Sequence, residues 1–168
     1  MTHRLLRFGR RMEPTQEQVD VNQIISEAVT FFENEAHYRD IEIQTDYGPN
    51  LPRVTTDSAQ LQQVFLNIVN NAIDAIGKCG RIDIATSSNS RNPSEVVVEI
   101  SDNGPGISKE LLGKIFDPFF TTKGPQEGTG LGLSISYSIM EKLGGRIMVT
   151  SEEGKGTSFG IYIPTKAV

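Results

Sequence analysis

Cysteine is almost absent from the chain: Cys79 is the single thiol among 168 residues, so no internal disulfide can form, and no cysteine–histidine set exists to hold zinc. Such usage fits a reducing, cytoplasmic setting. Long hydrophobic runs are missing as well. Nothing approaches the roughly 20 apolar residues that a membrane-spanning helix needs, and 37% hydrophobic with 22% charged residues describes a soluble globular protein. Basic charge is not in excess; a formal net charge of −5 argues against a generic nucleic-acid partner. The one basic stretch, "MTHRLLRFGRRMEP", is followed by no apolar h-region and no small-residue cleavage site, which excludes a secretory signal. Neither a G-x-x-x-x-G-K-[ST] phosphate loop nor a G-x-G-x-x-G dinucleotide fingerprint occurs, and there is no internal repeat.

What is present reads as a mixture of helices and strands. Leu5, Leu6 and Phe8 lie between arginines as on an amphipathic helix over residues 1–13, the tail of a preceding element, which Pro14 stops. Asp20 can cap a helix over 21–37, whose Ile24, Ile25, Ala28, Val29 and Phe32 recur at helical spacing. "IEIQTDY" (41–47) alternates like a strand, and "PNLPRV" reads as a loop. Asp57 then caps the longest helix, 58–76, with Leu61, Val64, Phe65, Ile68, Ala72 and Ile76 as its apolar set and Gly77 at its end. "RIDIAT" (81–86) and "EVVVEIS" (95–101) form a hairpin across "SSNSRNP". A short helix near 108–114, a helix over 130–143 stopped by Gly144-Gly145, and strands "RIMVTS" and "SFGIYIP" complete the chain. About five strands with three main helices, bunched rather than strictly alternating, predict an α+β two-layer sandwich with a mixed sheet.

Three short motifs carry candidate chemistry, each with a plainer alternative. In "LNIVNNAIDAI" (66–76), Asn67 and Asn71 are four apart and share a helix face, while Asn70 points elsewhere. Carboxamide oxygens suit Mg²⁺, whose remaining ligands are waters and phosphates; the same pattern also fits ordinary solvent-facing positions. In "DNGPGI" (102–107), Asp102 ends a strand, and Gly104 and Gly106 let backbone approach a ligand. A carboxylate there favours a base displaying an amino group, such as adenine; a plain Asx turn is the alternative. In "GTGLGLS" (128–134), Gly128, Gly130 and Gly132 open a helix whose free amides form an anion site, or simply a flexible entry loop. Between them, "IFDPFFTTKGPQEGTG" supplies Phe116, Phe119 and Phe120 to pin a lid to the core and Lys123 to reach a phosphate, or else core aromatics and a surface charge.

Taken in order, the asparagine helix, "DNGPGI", "FDPFFTTK", "GTGLGLS" and "GGRIMVTSEEGKGTSF" resemble the N, G1, F and G2 boxes and the final strands of the catalytic ATP-binding domain of sensor histidine kinases, over about residues 20–164. The nitrogen-regulation-like sensors are the most similar subgroup. The resemblance implies the Bergerat fold and two cofactors, ATP and Mg²⁺. It implies Asn71 as the Mg²⁺ ligand, Asn67 beside the phosphates and Asp102 on the adenine amino group, with Gly104, Gly106 and Ile107 shaping that pocket. It further places Thr122, Lys123, Gly128, Thr129, Gly130, Leu131, Gly132 and Leu133 against the phosphates, Thr157 behind Asp102, and Asp74 at a less uniform position. Asn67 and Lys123 are the candidate catalytic residues.

The same resemblance divides the chain into a 1–13 remnant of the second dimerisation helix and a 14–168 catalytic domain with a mobile lid at 117–129. Hydrolytic relatives in the superfamily carry a glutamate four residues before the metal-binding asparagine, where it serves as a general base. Here that position is Asn67, which favours phosphoryl transfer over hydrolysis; a hydrolytic or non-catalytic ATP-binding module is the alternative. His3 is followed by Arg4 and His37 by Tyr38, so neither matches the phosphoacceptor, which precedes an acidic residue. The implied function is therefore a protein-histidine kinase domain. Its partners would be a histidine-bearing dimerisation domain absent from this chain and a response regulator, in a cytoplasmic setting. The parent would be a homodimer, either soluble or membrane-anchored; this fragment itself would touch neither nucleic acid nor membrane.

Overall fold

A computed structural model describes residues 15–121 and 130–166; the helix expected over 1–13 lies outside them. Two long helices carry nearly half of the buried hydrophobic residues. In α1 (Val21–Tyr38) the Asp20 carboxylate accepts from the Asn22 amide, and in α2 (Ser58–Ile76) Asp57 accepts from Ala59 and Gln60, so both predicted caps form. Their apolar stripes face inward: Ile25, Ala28, Leu61, Val64, Phe65, Ile68 and Ile73 are completely buried. Gly77 ends α2 with a positive φ of 75°.

Five strands form one mixed sheet in the order β2–β4–β5–β7–β6: β2 (Ile41–Tyr47), β4 (Gly80–Ser88), β5 (Glu95–Asp102), β6 (Arg146–Glu152) and β7 (Gly156–Pro164). Only the β2–β4 pairing is parallel, because α2 must cross over between them; β4–β5 and β6–β7 are hairpins. Alternation sets the faces. Ile82, Ile84, Val96, Val98, Ile100, Phe159, Ile161 and Ile163 lie buried beneath the helices, while Glu42, Gln44, Glu99 and Met148 stay exposed on the outer face. The result is the expected two-layer α+β sandwich.

A second, two-stranded antiparallel sheet, not expected from sequence, is formed by β1 (Glu17–Val19) and β3 (Val54–Thr56). The stretch read as a loop thus ends in a strand. Three residues are too few to show alternation, and their partners lie far apart in sequence. The predicted short helix is reduced to α3 (Lys109–Leu112), and the glycine-entered helix is α4 (Gly132–Lys142). Among the described residues, no helix is long and apolar enough to cross a membrane.

Candidate functional site

The polar positions of α2 have different neighbours. Asn67 is tied to α4: its Nδ2 donates to the Gly132 carbonyl at 3.2 Å and to Ser136 Oγ at 3.1 Å, and its Oδ1 accepts from Gln63 Nε2 at 2.8 Å. Ser136 is fully buried and itself donates to the Gly132 carbonyl at 2.9 Å. The N-terminal turn of α4 is thereby bolted to the asparagine helix. Asn70 is exposed, with its amide on Asp74 Oδ2 at 3.4 Å, and Asp74 also faces the Arg39 guanidinium at 3.9 Å. Asn71 is half-buried one turn beyond Asn67.

Asp102 ends β5 on the helix-covered face and is only 8% exposed. Its Oδ1 accepts from the Gly104 amide at 2.9 Å, closing the Asx turn foreseen from "DNG". Burial raises the carboxyl above the ordinary 3.8, against the backbone amides of Gly104 and Thr157, which favour the charged form. The loop that follows is clamped to the β6–β7 hairpin. Gly154 donates to the Pro105 carbonyl at 2.7 Å, and Ile107 donates to Ser151 Oγ at 2.7 Å. Gly106 has φ +75°, and a Cβ there would stand 2.2 Å from the Glu152 carbonyl oxygen, so no side chain fits.

Across the strands, Asp102 pairs with Thr157 and Thr157 with Ser151, one polar row on the helix-covered face. Asp102 and Thr157 are the two residues expected here from sequence; Ser151 is an addition from the structure. Its signal was the inward alternation Ile147, Val149, Ser151 along β6.

Gly130, at φ +68°, packs its Cα on the Phe119 backbone, where a Cβ would come within 2.3 Å of the Phe119 carbonyl carbon. The Phe119 amide donates to the Gly130 carbonyl at 2.9 Å, joining the two ends of the glycine-rich connection. Phe116 packs on Tyr137 with centroids 5.4 Å apart, and Phe120 rests against the core. Phe119 departs from expectation: it is 73% exposed, because the left-handed backbone that meets Gly130, φ 65°, turns its side chain outward. Leu131 and Leu133 are half-buried beside the α4 entry, and Leu131 at the cap position has no side-chain acceptor to offer the first amides. Thr122, Lys123, Gly128 and Thr129 lie outside the described residues, as does the expected lid after Thr121.

A mixed sheet under helices on one face, a buried aspartate at a strand end and a glycine-entered helix bolted to an asparagine helix define a nucleotide-binding architecture. Residues 56–167 match the family described as histidine kinase-, DNA gyrase B-, and HSP90-like ATPase, and the chain belongs to it, as an ATP-binding catalytic domain of the sensor histidine kinase type. The sensor histidine kinase ZraS of Escherichia coli K12 is 39% identical over 146 residues, which are 87% of this chain and 30% of that protein. The chain thus spans under a third of that relative's length. The solved catalytic domain of histidine kinase ThkA is 35% identical with a TM-score of 0.81, covering 90% of this chain and 97% of that one. ThkA in complex with the response regulator TrrA matches at 30% identity and TM-score 0.78, covering 98% of this chain and 46% of that one. Full-length ShkA in complex with AMPPNP matches at 27% identity and TM-score 0.81, over 98% of this chain and 35% of that one.

Among the described residues, no group of three or more His, Cys, Asp or Glu side chains gathers to cage a cation. A lone carboxamide such as Asn71 fits Mg²⁺ in the way that ion is commonly held beside nucleotides, with one or two protein oxygens and the rest phosphate and water.

Proposed function

We propose that this domain binds Mg²⁺–ATP and transfers the γ-phosphoryl group to a histidine imidazole on a dimerisation domain outside this chain, from which a response-regulator aspartate takes it. The imidazole nitrogen attacks phosphorus in line, the bond to the β-phosphate oxygen breaks, and ADP leaves. Asp102 accepts from the adenine amino group, with Gly104, Gly106, Ile107 and Thr157 around it. The first turn of α4, with Gly128, Thr129, Gly130, Leu131, Gly132 and Leu133, meets the phosphates, and from the lid at 117–129 Thr122 adds a hydroxyl and Lys123 a positive charge. Asn71 is the protein ligand to Mg²⁺, which when bound neutralises phosphate charge. Residues 1–13 are the remnant of a dimerisation helix, residues 14–168 form the catalytic domain, and the parent is a homodimer.

The observation that carries transfer over hydrolysis is the state of α2. Its residue 67 is an asparagine whose amide hydrogens are both directed to α4, so it supplies no general base. The only carboxylate within that helix, Asp74, is engaged by Asn70 and faces Arg39. Positioning and charge neutralisation suffice when a nucleophile is supplied. The complex of ThkA with a response regulator and that of ShkA with AMPPNP support the partner and the nucleotide by likeness.

Labelled ATP incubated with this chain and the parent's dimerisation domain is expected to give acid-labile phosphohistidine with little free phosphate. Free phosphate alone would establish an ATPase instead, and binding with neither product a regulatory module.

A further inference from the structure

Asp102, Thr157 and Ser151 are register partners in one row across β5, β7 and β6, and directly opposed residues project from the same face of a sheet. Ser151 Oγ makes three close contacts: the Ile107 amide at 2.7 Å, the Gly156 carbonyl at 2.9 Å and Thr157 Oγ1 at 2.8 Å. A serine hydroxyl offers one proton and two lone pairs. The amide can only donate and the carbonyl can only accept. All three contacts are hydrogen bonds in just one assignment: Ser151 donates to Gly156, and its lone pairs accept from Ile107 and from the Thr157 hydroxyl. The Thr157 proton is therefore committed to Ser151. What Thr157 retains are lone pairs, on the face it shares with a carboxylate that, when charged, also only accepts.

We propose that Ser151 is a specificity-determining residue: by holding the Thr157 proton it leaves the Asp102–Thr157 end of the site able only to accept hydrogen bonds. A base presenting an amino group there is taken, and a base presenting a carbonyl is refused, since in direct contact two acceptors would face each other without a proton. The inference rests on the reading of Asp102 as the base-binding residue. Ser151 touches no nucleotide in this account; it acts through Thr157 and, by the Ile107 amide, through the loop that frames the base.

The test compares ATP with ITP, which carries a carbonyl where ATP carries the amino group, by measuring the Kd of each with Mg²⁺ on this 168-residue chain. In Ser151→Ala the freed Thr157 proton can turn to the carbonyl, so the preference for ATP over ITP is expected to fall about tenfold, one hydrogen bond's worth. Ser151→Thr, which keeps a hydroxyl, is expected to restore it. A residue serving only as a strut would weaken both nucleotides equally, and an unchanged ratio in Ser151→Ala overturns the proposal. Asp102→Asn separates the two levels of inference. If it collapses the ratio while Ser151→Ala does not, only the role of Ser151 fails; if it leaves the ratio intact, the base reading fails and the proposal with it. Should Ser151→Ala not fold, Thr157→Val serves: weakened ATP with unchanged ITP supports the proposal, and unchanged ATP overturns it.

Discussion

An aspartate with 8% of its surface exposed is poorly placed for carrying charge, and burial holds the Asp102 carboxyl above its ordinary 3.8. The folded state then binds the proton more tightly than the unfolded chain does. Its contribution to stability is full below pH 3.8 and is lost as pH rises through the raised folded value. Asp102→Asn keeps an acceptor for Gly104 and removes the buried charge, so without nucleotide the variant is expected to melt higher than the parent at pH 7. The gap should close on acidification, as calorimetry across pH would record, and affinity for ATP should fall. A carboxylate kept against its solvation preference is legible as function only in three dimensions. The sequence pointed to Asp102 through its place between a strand and "NGPG", but not to the burial that makes it costly.

At the scale of elements, the join between α2 and α4 is the feature with most consequence for the site. Asn67→Ala removes both bonds from its amide to the Gly132 carbonyl and Ser136 Oγ, leaving those two groups only their bond to each other, and is expected to destabilise the nucleotide-free domain by about 1–2 kcal/mol. Urea unfolding would measure this, and an unchanged midpoint would confine Asn67 to a role with nucleotide. Helices and sheet strands were legible because their signals are local: caps at Asp20 and Asp57, a 3.6-residue apolar period in α1 and α2, and period two in the strands. The β1–β3 pair was not, since Glu17 meets Thr56 across nearly forty residues and neither strand announces itself. The same limit explains Phe119. Its aromatic character suggested an inward anchor, whereas the backbone contact with Gly130 decided its direction.

For the whole molecule, ligand binding and folding are linked. At a free concentration near 100 times its Kd, Mg²⁺–ATP should stabilise the domain by about 2.7 kcal/mol, roughly 5–10 °C in melting temperature. A chelator, or Asn71→Ala with Mg²⁺ present, is expected to remove most of that shift without lowering the melting temperature of the nucleotide-free domain. Retention of the full shift in Asn71→Ala would remove it as the metal ligand. By itself the sequence determined the layer architecture, the identity of the asparagine helix, the glycine-rich loops and the family. Hydrophobic period, capping and turn chemistry act over a few residues, and the motif order is itself linear. Only the tertiary structure decided that Asn67 locks α4 in place, that Gly106 lies too close to Glu152 for any side chain, and that Ser151 stands in a row with Thr157 and Asp102. Those facts depend on strand register and on helix-to-helix contact between residues remote in the chain, where position follows from packing the whole core.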